Sequence, residues 1–256
     1  MLNLTSFGND AAKPPLLIVH GLFGSARNWG AIARRLSEDR RVVAVDMRNH
    51  AGSAWTATHT YPDMAADLAE VIEAQGAPMD VLGHSMGGKA AMQLALTRGD
   101  LVNRLVVADI APVAYPHSEA NEKLCQAMRA MDLAGLTSRI EADRRLKDAV
   151  PDDGTRAFLL QSLDLRADPP RWRLNLDLLE AEMETITGWP GTAGHFDGPV
   201  LFLSGSLSHY VRPDDRAEIK RLFPAAKMAK IPGAGHWLHA DRPREFEAAV
   251  RAFNAA

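Results

Sequence analysis

Short runs of apolar residues recur along the chain, separated by helix-like segments that mix apolar and charged residues. The apolar runs lie at 16–19 (LLIV), 41–45 (RVVAV), 79–82 (MDVL), 104–108 (RLVVA), 199–203 (PVLFL) and, more weakly, 227–231 (KMAKI). Runs without polar alternation are typical of parallel strands that are covered on both faces. The helical patterns fall at 29–38, 63–75, 88–98, 213–223 and 242–254. This alternation predicts an α/β fold with a mostly parallel, doubly wound sheet.

Residues 113–198 interrupt the alternation. Their pattern is helical and amphipathic, as at Leu124, Met128 and Met131, and it shows no convincing alternation of strands and helices. Open α/β sheets bind ligands at the carboxyl ends of their strands, and we expect the insertion to cover that edge. The expected domains are therefore a core formed by 1–112 and 199–256 and a helical cap formed by 113–198. The alternative is that the inserted helices only enlarge the core and the surface.

Composition narrows the class of protein. The 256 residues carry a formal net charge of −3, which gives no electrostatic reason to expect a nucleic acid or an anionic membrane as partner. No apolar run approaches the ~20 residues that span a bilayer, and residues 1–10 lack the pattern of a signal peptide. The single cysteine, Cys125, cannot form an internal disulfide. We expect a soluble cytoplasmic protein, and the sequence does not predict its oligomeric state.

The stretch GHSMGGKA, residues 83–90, fits two motifs. As G-x-S-x-G, it is a nucleophile elbow, in which Ser85 lies on a sharp strand-to-helix turn and attacks an acyl carbon. As G-x-x-x-x-G-K, it is close to a phosphate-binding loop, with Lys89 reaching a nucleotide and Asp109 imitating the acidic residue that holds magnesium. Position 90 is alanine, which removes the hydroxyl that would bind the metal. The nucleophile elbow is therefore the favoured interpretation.

A serine nucleophile needs a base and an oxyanion hole. His236, in GAGHW after the last apolar run, follows Ser85 in the chain order that such folds use. His239 is its rival and is more simply a supporting residue. The segment HGLFG, residues 20–24, follows the first apolar run, where these folds place an oxyanion donor. We expect the backbone N–H groups of Leu22 and Met86 to be the two donors.

The acid of the expected triad is harder to place. Its usual position follows the run 199–203, where Ser208 and its neighbours supply no carboxylate. Asp214 and Asp215 come later and resemble residues of a first helical turn. Asp109 ends the neighbouring run 104–108 and keeps the order of nucleophile, acid and histidine. We favour Asp109, whose carboxylate would orient His236 and stabilise its cation.

Six motifs together resemble a known family: HGLFGS (20–25), DMRNHAGS (46–53), GHSMGGK (83–89), DIAPVAY (109–115), WRLNL (172–176) and GAGHWLHADRP (233–243). They are similar to those of the small bacterial YbfF-type esterases and their mitochondrial α/β-hydrolase-domain relatives. The resemblance implies an α/β-hydrolase fold with a helical cap and activity on acyl esters or thioesters. It also implies that Asp109 is the acid. Ala51-Gly52 departs from the family pattern R-N-H-G-x-S, because the glycine has moved by one place.

These observations predict a serine hydrolase of small-molecule esters or thioesters that uses neither a cofactor nor a metal. Ser85, Asp109 and His236 are the expected catalytic residues. The expected substrate pocket combines apolar residues of the insertion with residues of the core: Phe23, His50, Met128, Trp172, Trp189 and Trp237. For any one of the apolar residues of the insertion, core packing is an equal alternative. For Arg48, Asn49 and His50, a role in bracing their loop is an equal alternative to substrate contact. Two other functions stay open: C–C bond cleavage or lyase chemistry in the same fold, and a catalytically silent ligand-binding or partner-binding protein.

Overall fold

The computed structural model describes residues 1–76, 78–116 and 119–255. Its strands are β1 (Asn3–Phe7), β2 (Leu16–Val19), β3 (Val42–Asp46), β4 (Met79–His84), β5 (Val102–Ala108), β6 (Leu163–Asp164), β7 (Arg171–Trp172), β8 (Val200–Gly205) and β9 (Lys227–Ile231). Its α-helices are α1 (Gly30–Leu36), α2 (Tyr61–Ala74), α3 (Met86–Thr97), α4 (Glu119–Ala130), α5 (Arg139–Leu146), α6 (Asp153–Leu159), α7 (Leu176–Ala181), α8 (Met183–Thr187), α9 (Arg216–Leu222), α10 (Leu238–Asp241) and α11 (Pro243–Ala255).

Within these residues, seven strands form one sheet in the order β1-β3-β2-β4-β5-β8-β9. Every neighbouring pair is parallel except β1 and β3, so the predicted α/β fold and mostly parallel sheet are confirmed. Because the parallel strands end at the same edge, the loops after β4, β5, β8 and β9 meet there. This edge carries the polar residues singled out in the sequence.

The apolar runs bury alternate residues on opposite faces of the sheet. In β2, for example, Leu17 and Val19 pack into one core cluster, while Leu16 and Ile18 pack into the other. Helices α2, α3 and α9 cover the first face, and α1 and α11 cover the second. Coverage on both faces explains why these strands read as continuous apolar runs.

Strand β1 lies at the edge of the sheet and was not predicted. Its sequence, NLTSF, has only two apolar residues, and none of the five residues is fully buried. It pairs with β3 alone. The hydrogen bonds of this pairing, together with those made by Asn3, hold the strand in place. Asn3 Nδ2 donates to Asp46 Oδ2 at 2.7 Å, and Asn3 N donates to Ser53 Oγ at 2.8 Å. Such contacts leave no hydrophobic pattern in the sequence.

The segment between β5 and β8 contains helices α4 to α8, as the sequence predicted, together with the short antiparallel pair β6 and β7. Each strand of this pair contains two residues, which is too short to produce a recognisable strand pattern in the sequence. The segment is tied to the loop after β3. His50 and Leu174 form a β-bridge, and Ala51 N donates to Arg173 O at 2.7 Å. The motifs DMRNHAGS and WRLNL therefore lie against each other.

Candidate active site

Ser85 lies on a tight turn between β4 and α3. Its backbone has φ of +52° and ψ of −121°, a conformation that a residue with a side chain rarely adopts. The turn is possible because glycines lie two positions before and two positions after Ser85. A Cβ atom at Gly83 would lie 2.3 Å from Gly87 O, and one at Gly87 would lie 2.4 Å from His20 O. The turn therefore presents the Ser85 hydroxyl at the carboxyl edge of the sheet.

A continuous hydrogen-bonded chain joins the hydroxyl to a buried carboxylate. Ser85 Oγ lies 3.1 Å from His236 Nε2, and His236 Nδ1 lies 2.7 Å from Asp109 Oδ2. Asp109 is completely buried, whereas Ser85 and His236 are partly exposed. Nδ1–H donates to the carboxylate, which leaves Nε2 free to accept the serine proton. The structure thus brings together the three residues predicted as catalytic.

Asp109 adopts φ of +52° immediately after β5, which turns its carboxylate toward β8. Besides His236, two other groups donate to it. Gly205 N donates to Oδ1 at 3.0 Å, and Ser208 Oγ donates to Oδ2 at 2.5 Å. Both donors belong to the segment that usually supplies the acid in this fold. In this chain the carboxylate lies at the end of the neighbouring strand, β5, and the Ser208 hydroxyl donates a hydrogen bond to it.

The rival residues lie in other surroundings. Asp215 accepts from Arg212 N at 2.8 Å at the start of the turn before α9, which is a capping role. The ring of His239 stacks on Trp29 with centroids 4.1 Å apart. Burial lowers the pKa of His239 to about 3, so this imidazole is neutral at neutral pH. The ring of Tyr210, which the sequence analysis did not single out, stacks on His236 at 4.0 Å.

Of the predicted oxyanion donors, Met86 directly follows Ser85, and Leu22 lines the same cavities as Ser85. In the part of the chain that the structure describes, the backbone N–H groups of Leu22 and Met86 have no hydrogen-bond partner. The next residue of the loop, Phe23, has φ of +63°. Its N–H donates to His50 Nε2 at 3.2 Å, and its carbonyl accepts from Ser162 Oγ at 2.8 Å. The loop is thus held from both sides at Phe23, while the Leu22 N–H stays available.

Buried histidines support this loop from below. His50 Nδ1 donates to Arg48 O at 2.9 Å, which leaves Nε2 as the acceptor for Phe23. His20 Nδ1 donates to Gly21 O, and its Nε2 accepts from Met47 N. Burial is the main cause that lowers the pKa of His20, and it lowers the pKa of His50 further below its ordinary value. Neutral rings can both donate and accept, which these bonds require.

A cavity of about 260 Å³ opens beside Ser85 and His236. Of the residues predicted to form the substrate pocket, Phe23 and Trp237 line it, together with aromatic and aliphatic residues that were not predicted: Trp29, Leu124, Phe158 and Tyr210. A smaller chamber of about 50 Å³ also reaches Ser85, and Lys89 and Met86 are among its walls.

The other predicted pocket residues do not line either cavity, which corrects that expectation. His50 is completely buried beneath the loop at Phe23. Met128 and Trp172 pack inside the inserted segment, where Trp172 Nε1 donates to Met128 O at 2.8 Å. Trp189 lies against Tyr61, with ring centroids 6.4 Å apart. Met128, Trp172 and Trp189 were selected as apolar residues of the insertion, and apolar character alone does not distinguish a core residue from a pocket wall.

Within the described residues, no group of three or more histidine, cysteine, aspartate or glutamate side chains is arranged to hold a metal ion. The same residues include no helix that is both long enough and apolar enough to cross a membrane.

Comparison with known proteins places the chain in a family. The sequence profile of the alpha/beta hydrolase fold matches residues 14–243. The chain belongs to the α/β-hydrolase fold family. This α/β hydrolase is 40% identical over 261 residues to the sn-1-specific diacylglycerol lipase ABHD11 of Mus musculus, covering 99% of the chain and 85% of that relative.

Two further relatives are esterases. The α/β hydrolase is 36% identical to esterase YbfF of Escherichia coli (strain K12), with 96% of the chain and 94% of YbfF covered. A solved structure described as a marine microorganism esterase is also 36% identical, with a TM-score of 0.93 and 98% of each chain covered. These findings confirm the family resemblance and the α/β-hydrolase fold, and they identify the chain as an enzyme of the hydrolase class.

Proposed function

We propose that this α/β hydrolase is a serine esterase that cleaves carboxylic esters, and thioesters of the same acids, through an acyl-enzyme. The observation that carries the proposal is the chain of contacts from Ser85 Oγ through His236 to Asp109, at 3.1 and 2.7 Å. The esterase and lipase names of the relatives support the same class of reaction.

The first half-reaction transfers the acyl group to the enzyme. Ser85 Oγ attacks the carbonyl carbon while its proton passes to His236 Nε2. Asp109 holds His236 in the tautomer that can accept this proton and stabilises the imidazolium. The N–H groups of Leu22 and Met86 donate to the oxyanion of the tetrahedral intermediate. The C–O bond to the alcohol then breaks, and the alkoxide leaves with the proton from His236.

The second half-reaction regenerates the enzyme. A water molecule gives a proton to His236 Nε2 and attacks the acyl-enzyme carbonyl, and the bond to Ser85 Oγ then breaks. The acid leaves, and the proton returns to Ser85. The geometry needed for both halves is the same, because the histidine faces one side of the carbonyl and the oxyanion donors face the other. The residues in place can perform both steps.

In this proposal, residues 113–198 act as a cap over the core formed by 1–112 and 199–256. Leu124 and Phe158 of that segment line the 260 Å³ cavity opposite Ser85. The buried, unpaired thiol of Cys125 favours the proposal that the enzyme works in a reducing compartment such as the cytoplasm.

The test is hydrolysis of a panel of esters and acyl-CoA thioesters graded by acyl length, with Ser85→Ala as the matched control. We expect wild-type protein to hydrolyse at least one ester, and Ser85→Ala to lose activity by roughly 1000-fold or more. Equal hydrolysis by both proteins would exclude Ser85 as the nucleophile.

A further inference from the structure

A buried lysine lies one helical turn beyond Ser85. Lys89 is 1% exposed, and its backbone N–H donates to Ser85 O at 3.0 Å. Its ammonium donates to Thr187 O at 2.8 Å and to Gly188 O at 2.5 Å, where α8 ends. The rings of Tyr115 and Tyr61 lie 4.7 and 5.7 Å from Nζ. The lysine thus connects the nucleophile helix with the inserted segment.

The connection between α3 and the inserted segment does not require a charged hydrogen-bond donor. Among the described residues no carboxylate forms an ion pair with it, and burial lowers its pKa to about 7. The adjacent carbonyl, Ile186 O, is held in the same way by the neutral hydroxyl of Tyr61 at 2.5 Å. A neutral donor would therefore complete the connection at a lower desolvation cost. An anion that enters with the substrate would supply the missing counter-ion and favour the charged form of Lys89.

The lysine forms part of the wall of the small chamber that opens at Ser85. This chamber, of about 50 Å³, is also lined by Met86, Ile110 and Ile186. One water molecule needs roughly 12 Å³ of such space, so the chamber has room for about four groups of that size. The larger cavity also reaches Ser85, and it is the one of the two that His236 lines.

The position of His236 decides which part of an ester occupies each cavity. Its Nε2 must protonate the departing alkoxide, so the alcohol lies on the side that His236 lines. The acyl group then points the opposite way, past Met86 and toward Lys89. This assignment rests on the proposed function.

We propose that the small chamber is an acyl subsite for a short acyl group that ends in a carboxylate, and that the Lys89 ammonium pairs with this carboxylate. The substrate class is the monoesters of short dicarboxylic acids, whose acyl part beyond the reacting carbonyl contains about four atoms. The aromatic walls of the larger cavity, including Phe158 and Trp237, suit an apolar alcohol. The reaction is ester hydrolysis as above, and Lys89 takes no part in proton transfer.

The experiment compares substrates that have the same shape and differ in charge. Monobenzyl malonate and benzyl 3-methylbutanoate differ only by a carboxylate in place of an isopropyl group. We expect wild-type protein to favour the malonate ester in kcat/KM by at least 10-fold. Lys89→Met, which removes the charge and keeps an unbranched side chain, should lose this preference through a higher KM for the malonate ester. Leu124→Ala, a change in the other cavity, should keep the preference.

Wild-type protein also provides a test that does not depend on the folding of a variant. Malonate should inhibit hydrolysis of the neutral ester at a concentration at least 10-fold lower than 3-methylbutanoate. The proposal is overturned if wild-type protein prefers the neutral ester, if the two acids inhibit equally, or if active Lys89→Met keeps the wild-type preference. Failure of the proposed function would give a different result from failure of the subsite proposal. Neither ester would then be cleaved in a manner that depends on Ser85.

Discussion

The hydroxyl of Ser208 donates a hydrogen bond to the carboxylate of Asp109, from the loop after β8 to the end of β5. In the usual arrangement the loop after β8 carries the acid itself. Here the carboxylate of Asp109, at the end of the neighbouring strand, lies 2.7 Å from His236 Nδ1. Asp109 receives hydrogen bonds from His236, Ser208 and Gly205, so it is fixed from three directions.

The first prediction concerns this carboxylate. Asp109→Asn should lower kcat by roughly 1000-fold to 10,000-fold, because an amide favours the wrong tautomer of His236. Asparagine tolerates the positive φ of this position, so the fold should persist. Asp215→Asn is the control, and steady-state kinetics with one ester measure both. Wild-type activity in Asp109→Asn would show that this residue is not the acid.

The second prediction concerns the loop that presents the Leu22 N–H. His50→Leu removes the acceptor of the Phe23 N–H, and we expect kcat to fall by about 10-fold to 100-fold with little change in KM. His50→Gln offers an amide oxygen as a substitute acceptor and should recover part of the loss. If both variants have the same kcat, the hydrogen bond from Phe23 does not position the loop.

The third prediction concerns a residue in a conformation suited to glycine. Ala51 has φ of +47°, which costs an L-residue about 1 kcal/mol or more. Ala51→Gly should therefore raise the free energy of unfolding by about 0.5 kcal/mol, after the higher chain entropy of glycine is subtracted. Urea denaturation measures the change. The matched control is Gly52→Ala, whose Cβ would lie 2.7 Å from Asn3 Nδ2, and which should destabilise the protein.

The fourth prediction concerns stability in acid. His59 is completely buried, and burial is the main cause that lowers its pKa to about 3. In the unfolded chain this histidine binds a proton near pH 6.5, whereas in the folded chain it stays neutral until about pH 3. The contribution of neutral His59 to the free energy of unfolding is thus complete above pH 6.5. It is lost as the pH falls toward 3, at up to about 1.4 kcal/mol per pH unit.

His59→Gln should make this dependence shallower. The free energy of unfolding is measured with urea at pH 7, 5.5 and 4.5. Between pH 5.5 and 4.5, its dependence on pH should be smaller in the variant than in wild type by about 1 kcal/mol per pH unit. Equal slopes in the two proteins would mean that His59 does not titrate differently in the folded and unfolded chains.

The parts of the fold that depend on burial could be predicted from the sequence. Strands such as β2 and β5 are buried on both faces, and their apolar runs show it directly. The edge strand β1 lacks that signal because hydrogen bonds from Asn3 hold it. The turn at Ser85 was predictable because its glycines are required by contacts within the turn itself.

The parts of the site that depend on long-range packing could not be predicted. The sequence gives no sign that Ser162 contacts Phe23 or that Lys89 reaches the end of α8, since these residues lie 139 and 98 positions from their partners. Trp172 and Met128 have the pattern of pocket residues, but they pack against each other. Ser208 was noticed only because a carboxylate was missing there.

The most direct test of the account is covalent labelling with a fluorophosphonate, followed by peptide mass spectrometry. A serine activated by His236 and Asp109 attacks the phosphorus, fluoride leaves, and the adduct stays on Ser85 Oγ. We expect one adduct on the peptide that contains Ser85, a loss of ester hydrolysis in parallel, and no labelling of Ser85→Ala. Wild-type protein that hydrolyses esters but carries no adduct on Ser85 would contradict the account.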